Sequence, residues 1–193
     1  LVEMTRKYRT EHACRGYDWY DMIDGEMGIT EQDVLWAKYP TDEEIEEVDV
    51  RGIYLGFFTK WDANEHVKKM ISEYGWETSD EPFDRTYRKF SNLDDMHENG
   101  VHDYLKYIKF GYGRGTDHAC KDVRSGYMAR EQAIEMVKKY DHVKPRDLQR
   151  WLAYVGMTEK EFDEIADTFR DPKVWWKNEK GEWVKDNIWD EAK

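Results

Sequence analysis

A chain of 193 residues is long enough for one domain with a real core, and 42 acidic against 30 basic side chains leave it a formal net charge of −12. An acidic chain repels phosphate backbones and anionic headgroups, which excludes unspecific nucleic-acid or membrane-surface binding unless basic residues gather locally. Branched aliphatic residues are scarce, but 9 Trp, 13 Tyr and 8 Met replace their area; each buried Trp or Tyr removes roughly 150–250 Å² from water, so the chain is expected to fold.

Residues 1–49 are polar with two short helix signals: Thr30 before EQDVLWAKY, which stops at Pro40, and Thr41 with Glu44 as a capping box over DEEIEEV. VRGIYLGFF, residues 50–58, is dense in β-branched and aromatic types on both parities, which predicts a strand buried on two faces. Asp62 then opens an amphipathic helix with Val67, Met70, Ile71 and Tyr74 on one stripe and Gly75 as its left-handed stop. Residues 76–100 mix turn formers with Trp76, Phe83, Tyr87 and Phe90, an ordered irregular connection. HDYLKYIKF places Tyr104, Leu105 and Ile108 on one helical side, GYGRG breaks it, and Thr116 is the expected N-cap of the next helix, with Gly126 past its end. AREQAIEMVKKY, Pro145 to Val155, and Thr158 to Phe169 complete a helical cluster, and VWWKNEKGEWVK reads as a hairpin. The fold class is therefore mainly α with minor β: a helical cluster, one buried strand and a C-terminal hairpin. The expected divisions are 1–49 as a polar connection, 50–171 as the core and 172–193 as an aromatic tail.

Cys14 and Cys120 are too few and too far apart for a disulfide framework or a zinc site. With no apolar run near the roughly 18 residues of a membrane span and no signal segment, a cytoplasmic location is expected. The opening at Leu1, in helix-like sequence, is expected to lie inside a longer protein.

Basic residues gather in one place. Lys106, Lys109, Arg114, Lys121 and Arg124 surround a loop with Gly111, Gly113 and Gly115 that leads into a helix start. Unpaired N–H groups and roughly half a positive charge make such a start an anion site by geometry. Asp117, Lys121 and Arg124 share one helical face, with Ala119 and Val123 expected to form the core-facing back. The plainer reading is a solvated face, where an Asp–Lys i,i+4 pair stabilises by only about 0.2–0.5 kcal/mol. No GxxxxGK[ST] occurs, and the glycine loop follows a helix-like segment, so neither a P-loop nor a dinucleotide fingerprint is supported. His97 and His102 stand among Asp94, Asp95, Glu98 and Asp103, a set with the residue types of a metal site but without recognised ligand spacing, so a hydrated surface is the plainer reading. His12 with Cys14 and His118 with Cys120 lack the third group and oxyanion hole of a Cys–His nucleophile.

GIYLGFFTKWD (52–62), NLDDMHENGVHDYLKYIKFGYGRGTDHACKDVRSGYMAREQAIEMVKKYD (92–141) and DLQRWLAYVGMTEKEFDEIADTFRDPKVW (147–175) resemble the C-terminal half of the N-acetyl sugar amidotransferases, bacterial enzymes of surface-polysaccharide, O-antigen and nonulosonic-acid biosynthesis. WYDMIDGEMGIT also fits, so the resemblance spans most of the chain. It implies the C-terminal part of an α/β PP-loop ATP pyrophosphatase. ATP with Mg2+ would activate a sugar acetamido oxygen as an adenylate, and ammonia would displace AMP to leave an acetamidino group. The implied partners are a nucleotide-linked or nonulosonic acetamido sugar, a glutaminase and its ammonia-channel partner, with no nucleic acid and no membrane.

Under this resemblance Lys109, Arg114, Lys121 and Arg124 are the catalytic candidates, stabilising charge that develops on pyrophosphate. Lys106, Gly111, Gly113, Thr116, Asp117, His102 and Asp103 are candidates for substrate or nucleotide binding, and no residue is assigned to a metal. Family members carry an SGGKDS-type nucleotide loop, which this sequence lacks, so the chain is expected to be a fragment, a split-gene product or an inactive homologue. Gly115 stands where a small residue such as Ala is expected and is read as loosening the loop. The competing functions are a noncatalytic protein-interaction module and, last, a metal-dependent hydrolase built on residues 97–103.

Overall fold

The computed structural model describes residues 3–9, 11, 16–91, 97 and 99–190. The chain divides into two compact units, Leu1–Trp76 and Glu77–Lys193.

The first unit is built from short pieces: α1 (Arg6–Tyr8), 3-10 helices at Trp19–Met22 and Glu31–Ala37, α2 (Asp42–Glu47), a 3-10 turn at Leu55–Phe57 and α3 (Ala63–Tyr74). The capping box forms as read. The Thr41 hydroxyl accepts from the Glu44 N–H at 3.2 Å, and the Glu44 carboxylate accepts from the Thr41 N–H at 2.7 Å. Asp62 caps α3 by accepting from the Asn64 and Glu65 N–H groups, and Gly75 ends it in the left-handed conformation.

The segment 50–58 is not the buried strand its composition predicts. Ile53 makes a single antiparallel bridge to Glu3, and Leu55, Phe57 and Phe58 are exposed. Strand propensity measures how well a side chain fits a pleated, half-buried surface, and among the described residues no partner strand supplies that surface. Val34 is the one buried hydrophobic residue described in this unit, and Met70, Ile71 and Tyr74 of the α3 stripe are exposed.

The second unit holds the main core. α4 (Asn99–Phe110), α7 (Leu148–Val155) and α8 (Glu159–Asp167) meet through Val101, Tyr104, Ile108, Leu148, Leu152 and Phe162. Tyr104 stacks on Phe162 with ring centroids 6.3 Å apart, and Trp151 meets the same ring edge-on at 5.7 Å. α5 (Arg114–Arg124) and α6 (Arg130–Tyr140) pack side by side with Ala119 and Ala133 buried.

The C-terminal hairpin pairs β1 (Trp176–Lys177) with β2 (Trp183–Val184) in antiparallel register, Trp176 opposite Val184. Asp167 ties it to the end of α8 by accepting from Trp183 Nε1 and Arg170 Nε, both at 2.8 Å. The Arg170 guanidinium lies 4.4 Å from the Trp175 ring centroid and 5.2 Å from that of Trp183. The fold is mainly α, with one small two-stranded sheet among the described residues. Among the same residues no helix is long and apolar enough to cross a membrane.

Candidate functional site

α4 ends where Gly111 takes φ 74°, a backbone conformation open to glycine at no steric cost. The chain turns through Tyr112, and α5 begins at Arg114 with Gly113, not Thr116, at the N-cap. Three residues therefore separate two well-formed helices, and the side chains of the HDYLKYIKF and GRGTDHACKD segments are brought together.

The N-terminus of α5 already holds an anion, and that anion belongs to the protein. Asp141, which directly follows α6, accepts from the Gly113 N–H at 2.8 Å, the Thr116 N–H at 3.0 Å and the Thr116 hydroxyl at 2.5 Å. The carboxylate is buried, and these donors replace the water it has lost. The anion site expected at this helix start is thus taken by a carboxylate from 28 residues beyond Gly113. Gly115 is tight rather than loose: a Cβ there would lie 2.6 Å from Asp141 Oδ1.

Behind Asp141 sits Arg85, the largest fully buried side chain of the described residues. Its guanidinium donates to the backbone carbonyls of Asp141 and Val143 and lies over the rings of Tyr104 and Tyr107, at 5.3 and 5.5 Å. Burial pulls the Arg85 pKa down, against the opposing charges of Asp141 and Asp103.

On the solvent side of this buried layer, α4 and α5 share a charged cluster. Both oxygens of buried Asp103 accept from Arg114 Nε, at 3.1 and 3.2 Å, and Arg114 Nη2 forms an ion pair with Oδ1 at 2.9 Å, which together fix the guanidinium plane. Asp117 lies 3.6 Å from Arg114 Nη1 and accepts a hydrogen bond from Lys106. Burial opposes the Arg114 charge, but the Asp103 hydrogen bond and the Asp103 and Asp117 charges together outweigh it and raise the pKa. His102 is exposed, with Nδ1 3.1 Å from Asp103. Asp103 and Arg114 line a small cleft of about 30 Å³ together with His118 and Arg146.

His118 points from α5 toward Thr86, whose hydroxyl lies 2.6 Å from Nδ1. Burial first, then the nearby Arg88, Arg114 and Lys121 charges, push its pKa down to about 4, so the ring is neutral at ordinary pH. Arg88 pairs with buried Asp122 at 2.5 Å, and the Tyr87 hydroxyl donates to the same carboxylate.

The opposite side of α5 opens into a cavity of about 640 Å³ between α5, α6 and residues 185–189. Ala119, Val123, Ile134 and Val137 give it an apolar floor, and Tyr107, Tyr112 and Trp189 add aromatic walls. Arg124, Arg130, Lys138 and Lys185 stand around it. Lys138 and Lys185 also lie over Trp189, at 5.5 and 6.0 Å from its centroid. Burial lowers the Lys185 pKa.

The candidate residues thus fall into separate groups. Asp103, Arg114, Asp117, Lys106 and His102 form the charged cluster, where the cations are matched by carboxylates rather than left open. Gly113 and Thr116 serve the Asp141 cap. Gly111, Thr116 and Arg124 border the cavity, with Ala119 and Val123 lining it instead of forming a solid back to the helix. Lys109 is exposed beside its neighbour Phe110, and Lys121 is exposed on α5, so neither joins the cluster.

His118 and Cys120 project to different sides of α5, one to Thr86 and one into the cavity, and do not make a nucleophile pair. His12, Cys14, Asp94, Asp95 and Glu98 lie outside the described residues; within those, no three His, Cys, Asp or Glu gather to hold a metal ion. Arg85, Asp141, Thr86, Arg88 and Asp122 escaped the sequence reading. Arg85, Thr86 and Arg88 share one signal, an Arg–Thr–Tyr–Arg run inside the irregular connection, and no local pattern marks Asp122 or Asp141.

The described geometry defines a helical domain with a pre-ordered charge cluster and a separate cation-rimmed cavity. The family described as LPS biosynthesis protein WbpG-like, C-terminal domain, matches residues 84–188, more than half of the chain. The chain belongs to this family and is an LPS biosynthesis domain. No curated protein matches it.

Proposed function

We propose that this domain is the substrate-side part of an ATP-dependent N-acetyl sugar amidotransferase acting in LPS or O-antigen biosynthesis. Membership of the WbpG-like C-terminal family supports the pathway class. The motif block of residues 92–141 supports the reaction type. The structural observation that carries the reading is the Arg114–Lys106 pair, half-buried and held in place by Asp103 and Asp117.

In the reaction, the acetamido oxygen attacks the α-phosphorus of ATP, and the bond to the departing pyrophosphate breaks. Ammonia then adds to the activated carbon, loses a proton, and the C–O bond breaks with AMP carrying the oxygen away. Negative charge builds on the leaving groups in both steps. Cations whose orientation is already fixed need not reorganise to meet that charge, and removing one such donor typically costs about 10²–10³ in kcat. Arg114 is the first candidate for this role because Asp103 fixes the guanidinium while leaving part of its N–H fork unused.

The nucleotide itself would be held by an SGGKDS-bearing segment outside this sequence, and ammonia would come from a glutaminase through a channel partner. Among the described residues no three His, Cys, Asp or Glu gather to hold Mg2+.

The test uses the complete protein carrying this domain and the nucleotide loop, supplied with ATP, ammonia and a nucleotide-linked diacetamido sugar. The expected result is AMP and amidino sugar in equal amounts, with Arg114→Gln lowering kcat by about 10²–10³ while the fold is kept. AMP release that ignores the sugar, or unchanged turnover in the folded variant, overturns the reading.

A further inference from the structure

We infer that the cavity between α5, α6 and residues 185–189 binds the nucleoside diphosphate of a nucleotide-linked sugar. The proposal rests on the reading above only for the sugar; the diphosphate and the ring are argued from the cavity itself. Its volume of about 640 Å³ falls in the range of about 300–1,000 Å³ that encloses one small ligand. An apolar floor with the Tyr112 and Trp189 rings suits a flat heterocycle, which loses water on stacking.

The rim carries the second half of the argument. Arg124 closes α5 and Arg130 opens α6, and neither has an ion-pair partner among the described residues. Lys138 and Lys185 flank the same space, Lys138 paired with Glu135 and Lys185 bonded to Asn187. Of the two carboxylates bordering the cavity, Asp141 has both oxygens engaged by the start of α5, and Asp186 is exposed.

A chain at −12 thus concentrates positive charge around one pocket. At physiological salt the remote acids are screened over about 8 Å, so the rim decides the local field. An inorganic anion would need no apolar floor, and a prenyl chain would need no ring of cations. A ring joined to two phosphates uses both.

Calorimetry on the 193-residue chain with uridine diphosphate tests this. Saturable binding is expected, weakened about tenfold or more in the Arg124→Ala/Arg130→Ala variant, whose exposed positions tolerate truncation. Inorganic pyrophosphate should bind at least about tenfold more weakly than uridine diphosphate. Cys120 borders the cavity, so in a Cys14→Ser background its alkylation should slow when uridine diphosphate is present.

Absence of saturable binding together with unprotected Cys120, or equal binding by the double variant, overturns the proposal. Equal affinity for pyrophosphate does the same, because the site would then read the anion alone. Tighter binding of farnesyl diphosphate would also overturn it, in favour of a lipid-linked sugar. Amidine formation by the complete protein without uridine diphosphate binding would sink this assignment alone. Binding without amidine formation would sink the reaction alone.

Discussion

Asp141 answers a problem posed by every helix start, where the first N–H groups have no partner within the helix. At α5 the answer comes from a distant buried carboxylate, and the cost is paid in shape: Gly115 must stay bare because Asp141 Oδ1 occupies the space of a side chain. Gly115→Ala is therefore expected to destabilise by about 1–3 kcal/mol through overpacking, seen as a lower urea midpoint with unchanged slope. A neutral or stabilising effect, as a loose loop would give, contradicts this geometry.

His118 gives a second expectation at this scale. Its pKa falls from an ordinary 6.5 to about 4 on folding, so the unfolded chain accepts a proton that the folded one refuses. Stability from this group is complete above about pH 6.5 and is lost as pH falls toward 4, by up to roughly 3 kcal/mol. Urea melts across that window should show the slope, and His118→Asn should flatten it.

At the level of elements, what was legible depended on how local the cause was. The Thr41–Glu44 box, the Asp62 cap and the 104–105–108 stripe are written within a few residues, and each forms where its spacing places it. The Asp141 cap and the Arg85 anchor join residues 28 and 56 apart, and no periodicity marks a buried charge. VRGIYLGFF departs from its predicted strand for the converse reason, since its local preference is clear but the surface that would make it a strand is missing among the described residues. The α4–α7–α8 cluster carries the aliphatic and aromatic core, so Phe162→Ala should cost about 3–5 kcal/mol by leaving Tyr104 and Trp151 facing a void. A loss below about 1 kcal/mol would mean that the three helices do not share one core.

Across the whole molecule, the opening charge of −12 acquires a distribution. In the second unit, Arg114 and Lys106 are balanced by Asp103 and Asp117, whereas Arg124 and Arg130 are left open on the other side of α5. One helix thus separates two environments: a charge-matched cluster suited to holding a reacting group in register, and a cationic pocket suited to holding the rest of a substrate. The sequence pointed to the α4–α5 region as a single anion site, because spacing along a helix does not say which side of it is hollow.

In the proposed reaction the acetamido oxygen of the substrate takes the adenylyl group from ATP and later leaves with AMP. The most direct measurement of this supplies the complete protein with a sugar whose acetamido oxygen carries a heavy-isotope label and follows that label by mass spectrometry. The label is expected in AMP, one atom per amidino group formed. Amidino sugar formed with its label recovered in phosphate or water, and AMP unlabelled, would contradict it.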